Sequence, residues 1–590
     1  MKRIQTRIAA YTVFFLSLTS TTSGSSPTLE SRAEAYFHFI LGTVSGLAGQ
    51  PGNASQHFAR AATLDPTSSF IKLKQAEQFL EIGNDSEAKT LLLQIQSTED
   101  KNPEYHLLMA RLESQSNHLD GSLKALERAT QLFLQNKQMS KARETMLTRV
   151  ALLADHKRHG ESVNALEKYL KAQPDDEIAH YFLGKIQSIF MNRVQAKKSY
   201  EKALKIRPNF LAAAKALGLL LELEGKIPEA LATYQRANRF SSNDEELLQK
   251  LINLSLIGED YMSALDYLTQ YLMVRPDDQQ AELRTALIHY KLKHYDQAKF
   301  LFEDLIATES PSKDRIYFYL GSLHEEKAEY LKAIENYEKI PASSEYFVES
   351  RLQIASVLSD RMEKNELAVQ SLNEAIALKG DSPELQLGLA GIHEKSKHLT
   401  EAIRVLTRAS ENFLNNEKVL FMLGTVLDRA GDYQSGIDRM RDVLRINPNN
   451  PHALNHIGYS YAERKINLAE AESLLKKAVQ LAPDNGFILD SLGWVHYQQG
   501  EYKKAAKVLN RANQLAPDQA VILEHLADTY QKLGMKKEAL AMYRSIMQLS
   551  AKAKVPEHEA VSTNTGSPTA QSVQDRVREK LASLSGGATY

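Results

Sequence analysis

The stretch from Pro451 to Leu549 repeats itself along the chain. It contains Leu492-Gly493-Trp494, and one unit later it contains Leu526-Ala527-Asp528. The step from Gly493 to Ala527 is 34 residues. One unit earlier, Ile457-Gly458-Tyr459 occupies the same place, after allowance for one extra residue in the following turn. A fixed period with small residues at set positions predicts a chain that is built from repeated structural units.

Each unit is predicted to form two helices joined by a turn. In the unit that begins at Gly486, apolar and small residues recur at helical spacing before and after the turn. We expect Gly493 to face Ala505, so that the two helix axes approach within about 8–10 Å. Pro517 cannot continue a helix and should end the unit. One such hairpin cannot bury its apolar face alone, so stacked neighbours are expected to complete the core.

The pattern extends over most of the 590-residue chain, in about 15 units of roughly 34 residues. The predicted fold class is therefore all-α, a solenoid whose core grows lengthwise. The predicted domains are a signal peptide at 1–24, a linker at 25–34, the solenoid at 35–549 (with sub-arrays 35–174, 177–310 and 314–549), a flexible linker at 550–570, and a terminal helix and tail at 571–590.

Composition excludes several classes of protein and site. The chain has 72 Lys and Arg against 73 Asp and Glu, so it lacks the basic footprint of a nucleic-acid-binding protein. It contains no cysteine. Disulfides, thiolate metal sites, cysteine nucleophiles and a lipid-modified N-terminal cysteine are therefore all excluded.

The N-terminal segment has the pattern of an export signal. Lys2, Arg3 and Arg7 precede the apolar run Ile8–Leu18, and the small residues of Thr19–Ser26 suit cleavage. The apolar run is shorter than the ~20 residues that span a bilayer comfortably. We expect an exported protein of the periplasm or envelope that is not a lipoprotein. An uncleaved anchor, an organelle transit peptide and a cytoplasmic protein with a misread N-terminus remain alternatives.

A final helix is predicted after the repeats end. Val573, Val577, Leu581 and Leu584 recur at helical spacing behind a segment rich in Ser, Thr, Gly and Pro. Two interpretations are open. The helix caps the last apolar face of the array, as solenoid ends require, or it docks a partner.

These repeats resemble the tetratricopeptide repeat family over nearly all of the chain that follows the N-terminal segment. The C-terminal part also resembles a group of exported bacterial repeat proteins, through Asn455–Tyr459 and Ile488–Trp494. The resemblance implies a right-handed α-solenoid superhelix of about 15 helix-turn-helix repeats. It further implies that a partner segment binds along the concave face, and it implies no enzymatic activity.

In the family, variable positions of each first helix line the concave surface. Carried onto the last three units, these partner-binding positions are His452, Asn455, Tyr459, Phe487, Asp490, Trp494, Tyr497, Glu524 and Asp528. Relatives that bind chaperones clamp a carboxylate with Lys and Arg at such positions. The residues here are aromatic, amide or acidic, which favours an apolar peptide with some basic character. Trp494, the one tryptophan of the chain, is predicted either to contact the partner or to pack against a neighbouring helix.

No motif for catalysis or cofactor binding is found in the sequence. His393 and His398 suggest a zinc-protease motif, but they are separated by five positions, and that motif needs histidines at i and i+4. No phosphate-binding glycine loop, nucleophile elbow or dinucleotide fingerprint occurs. We therefore expect no enzyme activity, no cofactor and no metal.

The predicted function is that of a non-catalytic protein–protein interaction scaffold of the bacterial cell envelope. Its partner would be a protein or peptide of unknown identity, with no nucleic acid, and peripheral association with the envelope membrane or an export complex is left open. The alternative is a polysaccharide-binding or polysaccharide-export scaffold. In that alternative Tyr459, Trp494 and Tyr497 stack on sugars.

Overall fold

A computed structural model describes residues 27–190, 192–308, 310–552 and 570–584. These residues form 31 α-helices and no strand. Thirty of the helices pair into 15 consecutive antiparallel hairpins, which confirms the all-α solenoid and its repeat number. The chain divides into two compact units, Met1–Asp278 and Gln279–Tyr590. The sub-array boundaries near residues 174 and 310 stay predictions.

The first unit contains seven hairpins. Their helices are α1 Leu29–Leu47, α2 Pro51–Leu64, α3 Ser69–Glu81, α4 Asp85–Glu99, α5 Pro103–Gln115, α6 Leu119–Gln135, α7 Met139–Asp155, α8 His159–Ala172, α9 Glu177–Ile189, α10 Arg193–Ile206, α11 Leu211–Leu223, α12 Ile227–Asn238, α13 Glu245–Ile257 and α14 Tyr261–Val274.

The second unit contains eight hairpins and a final single helix. Its helices are α15 Gln279–Lys291, α16 Tyr295–Ala307, α17 Lys313–Glu326, α18 Tyr330–Glu338, α19 Phe347–Ser356, α20 Asn365–Lys379, α21 Pro383–Lys395, α22 Leu399–Asn412, α23 Glu417–Arg429, α24 Tyr433–Ile446, α25 Pro451–Arg464, α26 Leu468–Leu481, α27 Gly486–Gln498, α28 Tyr502–Leu515, α29 Ala520–Lys532, α30 Lys536–Lys552 and α31 Ala570–Leu584. A π-helical turn, Val357–Arg361, follows α19.

The two predicted linkers are partly helical. The Thr28 side chain accepts a hydrogen bond from the backbone N–H of Ser31 and caps α1. As a result, residues 29–34, which were predicted to belong to a linker, begin the first helix. At the other end α30 continues to Lys552, inside the predicted linker 550–570. The predicted signal peptide at 1–24 and the segment 553–569 lie outside the described residues.

Local sequence explains where the helices begin and end. The Asn485 side chain accepts hydrogen bonds from the N–H groups of Phe487 and Ile488, so it caps the first turn of α27. The turn that follows α27 contains Gly500, whose φ of 82° favours glycine. The second helix, α28, ends at Leu515, two residues before Pro517, as predicted.

Glycines in the first helices let a large side chain of the second helix pack against the backbone. A Cβ placed on Gly218 would lie 2.3 Å from the ring of Tyr234, and one placed on Gly493 would lie 2.6 Å from Leu509 Cγ. The same relation joins Gly184 with Tyr200 and Gly321 with Tyr337. The side chain that a Cβ on Gly493 would meet is thus that of Leu509, one helical turn beyond Ala505. That Gly493 also faces Ala505 stays a prediction.

The hairpin of α25 and α26 holds the extra residue seen in the sequence. Gly458 meets Leu475, one position later than the spacing in the other hairpins. Lys465 and Asn467, in the turn between the two helices, both have left-handed backbone conformations, with φ of 56° and 47°. The additional residue is therefore absorbed in the turn, and the helix crossing keeps its packing.

Within the described residues, no helix combines the length and the apolar character that crossing a membrane requires.

Candidate functional site: an acidic–aromatic face

The predicted partner-binding residues lie on the first helices of the last three hairpins, α25, α27 and α29. In α27 every residue from Ile488 to His496 is buried, including the polar Asp490 and His496. In α29 the buried set includes Glu524 and His525. Charged residues are almost never fully buried unless they are paired. Their burial on both helices therefore indicates a built polar site.

Asp490 and His525 form the centre of this site. Both carboxylate oxygens of Asp490 lie 3.0 Å from His525 Nδ1, and each side chain is only 7% exposed. Burial opposes the charged imidazolium, but the neighbouring Asp490 carboxylate outweighs this effect and raises the pKa of His525. The pair therefore couples α27 to α29 through a buried, charge-assisted hydrogen bond.

Aromatic rings stack around this pair. The Trp494 ring is nearly parallel to that of His525, with centroids 4.0 Å apart, and to that of Tyr497, with centroids 4.5 Å apart. The Tyr459 ring centroid is 6.4 Å from that of His525. Trp494 is 9% exposed, and its indole N–H has no hydrogen-bond partner among the described residues. In the structure Trp494 packs against neighbouring side chains, which is one of its two predicted roles. Contact with a partner stays a prediction.

The tyrosines of the site are held in their neutral form. Burial, aided by the negative charge of Asp528, raises the pKa of Tyr497 to about 12. Burial also raises the pKa of Tyr459, which lies beside the carboxylates of Glu463 and Asp490. Both hydroxyl groups are therefore uncharged near pH 7.

The final helix, α31, supplies basic side chains to this acidic region. Arg576 donates two hydrogen bonds to the Glu524 carboxylate, from Nε at 3.0 Å and from Nη2 at 2.5 Å. Lys580 Nζ donates to Glu524 Oε1 at 2.8 Å and to Asp528 Oδ2 at 2.7 Å. Both predicted acidic positions of α29 are therefore paired with cations of α31.

These pairs are strong enough to overcome burial. Burial alone would raise the pKa of Glu524, yet the hydrogen bonds from Arg576 and Lys580 hold that pKa below its ordinary value. The Arg576 guanidinium has a raised pKa because of its hydrogen bonds to Glu524, and it also lies within electrostatic range of Glu463 and Tyr459 on α25. Arg576 therefore links the charges of α25 and α29.

Apolar residues of α31 lie beside these cations, along the same side of the helix. Val573 and Val577 are fully buried in a cluster with Leu523 of α29 and Tyr543 and Ile546 of α30. This packing covers the apolar edge of the last hairpin. The cap interpretation of the terminal helix thus accounts for the apolar residues of α31, and the basic residues between them need a separate explanation.

Six of the nine predicted residues come together around these pairs. We call the surface they form with His525 the acidic–aromatic face; it comprises Tyr459, Asp490, Trp494, Tyr497, Glu524, His525 and Asp528. The other three predicted residues have different surroundings. His452 is exposed at the start of α25, and Phe487 packs in an apolar cluster with Leu489 and Ile522. Asn455 is buried, with no hydrogen bond to its side-chain oxygen within the described part of the chain.

Sequence reasoning missed His525, Arg576 and Lys580. Two signals were present in the sequence. Glu524 and Asp528 are four positions apart on one helix, and Arg576 and Lys580 are four positions apart on another. Because residues four positions apart lie on one surface of a helix, the two acids can meet the two bases where these helices pack together.

Comparison with known proteins agrees with this architecture. Family models described as tetratricopeptide repeats match residues 47–112, 194–245, 280–310, 421–486 and 486–519. The chain belongs to the tetratricopeptide repeat family. A tetratricopeptide repeat protein is a protein-interaction scaffold, and the class is generally non-catalytic.

Two curated relatives share part of the array. A tetratricopeptide-repeat-containing protein of Pseudomonas aeruginosa is 28% identical over 33% of this chain and 33% of its own length. Cellulose synthase operon protein C of Xanthomonas axonopodis is 22% identical over 58% of this chain and 24% of its own length. The chain therefore spans a third or less of the length of these two relatives.

Solved structures resemble the fold only loosely. The complex of Naa15 and Naa10 bound to HypK-THB aligns with a TM-score of 0.40 and 15% identity, and the alignment covers 70% of this chain and 69% of that chain. Within the described residues of this tetratricopeptide repeat protein, no group of three or more His, Asp or Glu side chains is arranged to hold a metal ion.

Proposed function

We propose that the chain is a non-catalytic scaffold of the bacterial cell envelope that binds a partner protein or peptide at the acidic–aromatic face. The observation that carries the proposal is the burial of Glu524, which is 3–4% exposed and holds two cationic side chains of a docked helix. A face that already accommodates a helical segment through charge pairs and apolar contacts has the chemistry of a peptide-binding site.

The envelope part of the proposal is supported by the N-terminal sequence. The basic residues Lys2 and Arg3 and the apolar run Ile8–Leu18 are typical of export signals. An exported scaffold would meet its partner in the periplasm or at the membrane surface. Peripheral association with an export complex belongs to the same proposal.

A carbohydrate-binding function is the second candidate, and one observation favours it. The Xanthomonas relative is named for a cellulose synthase operon. However, sugar stacking needs an accessible aromatic ring, and Trp494 is 9% exposed and already stacked on Tyr497 and His525. The protein or peptide partner is therefore the better supported of the two.

Affinity purification tests the first proposal. The tagged full chain is expressed in its own organism, crosslinked in the envelope and purified beside the double variant Glu524→Gln/Asp528→Asn. A specific partner should be recovered with the wild type and reduced with the variant. The exposed Glu411→Gln on α22 serves as a control for the loss of an acidic charge.

Two results would contradict the proposal. One is recovery of the same proteins at the same level with wild type and double variant, which would place binding elsewhere on the array. The other is tight retention of the chain on envelope polysaccharide in affinity electrophoresis with no protein partner, which would favour the carbohydrate candidate.

A further inference from the structure

We infer that the partner is an amphipathic helix with a basic stripe, and that α31 is an internal stand-in for this helix that must leave before the partner can bind. This inference rests on the proposed function and specifies the ligand of the same site. It also assigns a regulatory role to the final helix.

The ligand chemistry can be taken from the contacts of α31. Arg576 and Lys580 are one helical turn apart, as are Glu524 and Asp528 on α29. The Arg576 guanidinium engages Glu524 with two donors, a geometry that fixes orientation as well as charge. Lys580 bridges Glu524 and Asp528. A helix with Arg and Lys at i and i+4 therefore satisfies both acids.

Apolar residues of α31 add a second requirement. Val573 and Val577 are fully buried against the last hairpin, and Leu581 packs beside the same cluster. The recognised pattern is thus an apolar residue at i, Arg at i+3, an apolar residue at i+4, Lys at i+7 and an apolar residue at i+8. These positions lie along one side of a helix.

A cap alone does not require the charged half of this interface. Covering the last apolar edge needs only apolar contacts, and the valines of α31 supply them. Glu524 would be costly to bury without a cation, yet its side chain is 4% exposed beneath Arg576 and Lys580. The acids are therefore a recognition element that α31 satisfies when no partner is present.

Covalent connection gives α31 an advantage over a free ligand. A tethered segment acts at an effective concentration of about millimolar when its linker is short. The apparent affinity of an external helix is then reduced by the fraction of molecules in which α31 is docked. Weakening α31 should therefore strengthen the binding of the same helix offered from outside.

The test uses the full chain and a fluorescently labelled synthetic peptide with the sequence of residues 570–584. Binding is measured by anisotropy to wild type, to Arg576→Ala/Lys580→Ala, and to Arg578→Ala. Arg578 is the matched control because its side chain is 64% exposed and, among the described residues, its one ion pair is with Asp575 on its own helix. A fourth chain combines Arg576→Ala/Lys580→Ala with Glu524→Gln/Asp528→Asn.

We expect the peptide to bind Arg576→Ala/Lys580→Ala at least tenfold more tightly than it binds wild type or Arg578→Ala. The single variant Lys580→Ala should give an intermediate affinity, which keeps the test valid if the double variant perturbs the last hairpin. Binding should be lost in the chain that also lacks the acids, and for a peptide with alanine in place of Arg576 and Lys580.

Equal affinity for wild type and both α31 variants, or no binding to any chain, would overturn the inference. If the envelope partner were still recovered in that case, the proposed function would stand and only its ligand class would be wrong. Sedimentation of the wild type as a dimer that Arg576→Ala/Lys580→Ala dissociates would also overturn it, since α31 would then dock on a second copy.

Discussion

Two first helices of the array, α11 and α27, bury very different sets of residues. In α11 the buried residues are Ala213, Ala214, Leu217, Gly218, Leu220 and Leu221, all of them apolar or glycine. In α27 nine consecutive residues are buried, and Asp490, Ser491 and His496 are among them. Both helices solve the same packing problem, the stacking of one hairpin on the next.

The difference separates what the solenoid needs from what it carries. An apolar stripe is enough to stack α11 on its neighbours. The polar residues of α27 are not required for such stacking and are costly to bury unless they are paired. On the proposed function, the buried charges of α27 and α29 belong to a recognition surface, and the following predictions test this distinction.

The largest effect is expected from Asp490→Ala. Removing one partner of a buried pair leaves the other without compensation and costs about 3–5 kcal/mol, and His525 would be left in this state. The comparison variant is Lys215→Ala in α11. Lys215 Nζ lies 2.6 Å from Asp244, but the two side chains are 24% and 23% exposed. This partly solvated pair should cost about 1 kcal/mol or less.

Thermal and urea denaturation of the two variants measure this difference. The variant Asp490→Asn keeps the size of the side chain and a hydrogen-bonding group. Its stability should therefore lie between that of Asp490→Ala and that of the wild type. If Asp490→Ala and Lys215→Ala lost the same free energy of unfolding, the buried pair of the acidic–aromatic face would contribute no more than an ordinary ion pair between repeats.

A smaller loss of stability is expected from substitutions of the glycines. Here the variant in α11 should lose more stability than the variant in α27. Gly218→Ala should destabilise more than Gly493→Ala. The added methyl group of Gly218→Ala would lie 2.3 Å from the buried ring of Tyr234, whose hydroxyl is held by Glu222, whereas that of Gly493→Ala would lie 2.6 Å from Leu509, which is smaller than a tyrosine ring. Overpacking costs about 1–3 kcal/mol, against a gain of about 1 kcal/mol in helix propensity. Denaturation curves in which Gly493→Ala loses as much stability as Gly218→Ala, or more, would contradict this account.

The smallest effects are expected from pH, with opposite signs for two residues of the same face. The pKa of Glu524 is lowered from its ordinary 4.5 in the folded protein. Its contribution is therefore complete above about pH 4.5 and is lost as the pH falls through the folded pKa. The pKa of His525 is raised from 6.5, so its contribution is complete below about pH 6.5 and is lost as the pH rises through the folded pKa.

Melting temperatures of wild type, Glu524→Gln and His525→Gln between pH 3 and pH 9 measure both contributions. The advantage of wild type over Glu524→Gln should shrink at the acid end, and its advantage over His525→Gln should shrink at the alkaline end. The groups facing His525 are Asp490, Glu463 and Glu524. If the melting temperatures of the two variants changed with pH in the same way, the charges of Glu524 and His525 would not contribute to stability as their contacts indicate.

The fold was predictable because its determinants are local and recur. Small residues at Gly493 and Ala527 and a proline at Pro517 fixed the repeat length and the helix ends. Leu509, the side chain that covers Gly493, was not identified from the sequence for a simple reason. A helical side chain points back toward the N-terminus, so Leu509 covers the turn that holds Ala505.

The site was predictable only where the repeat register defines it. Asp490 and Glu524 occupy equivalent positions of successive units, as do Trp494 and Asp528, and the structure brings these residues together on one face. The docking of α31 has no such periodicity, since Arg576 and Glu524 are 52 residues apart and belong to elements of different kinds. Only the matched spacing of acids and bases connects them in the sequence.

The turn between α25 and α26 shows how such an array can change its length during evolution. Lys465 and Asn467 adopt left-handed conformations, and Gly458 still packs against a leucine, Leu475, although the hairpin is one residue longer. Insertions and deletions of single residues at inter-helix turns should therefore be close to neutral. Recognition residues on first helices can then diversify in one hairpin while natural selection retains the stacking of all the others.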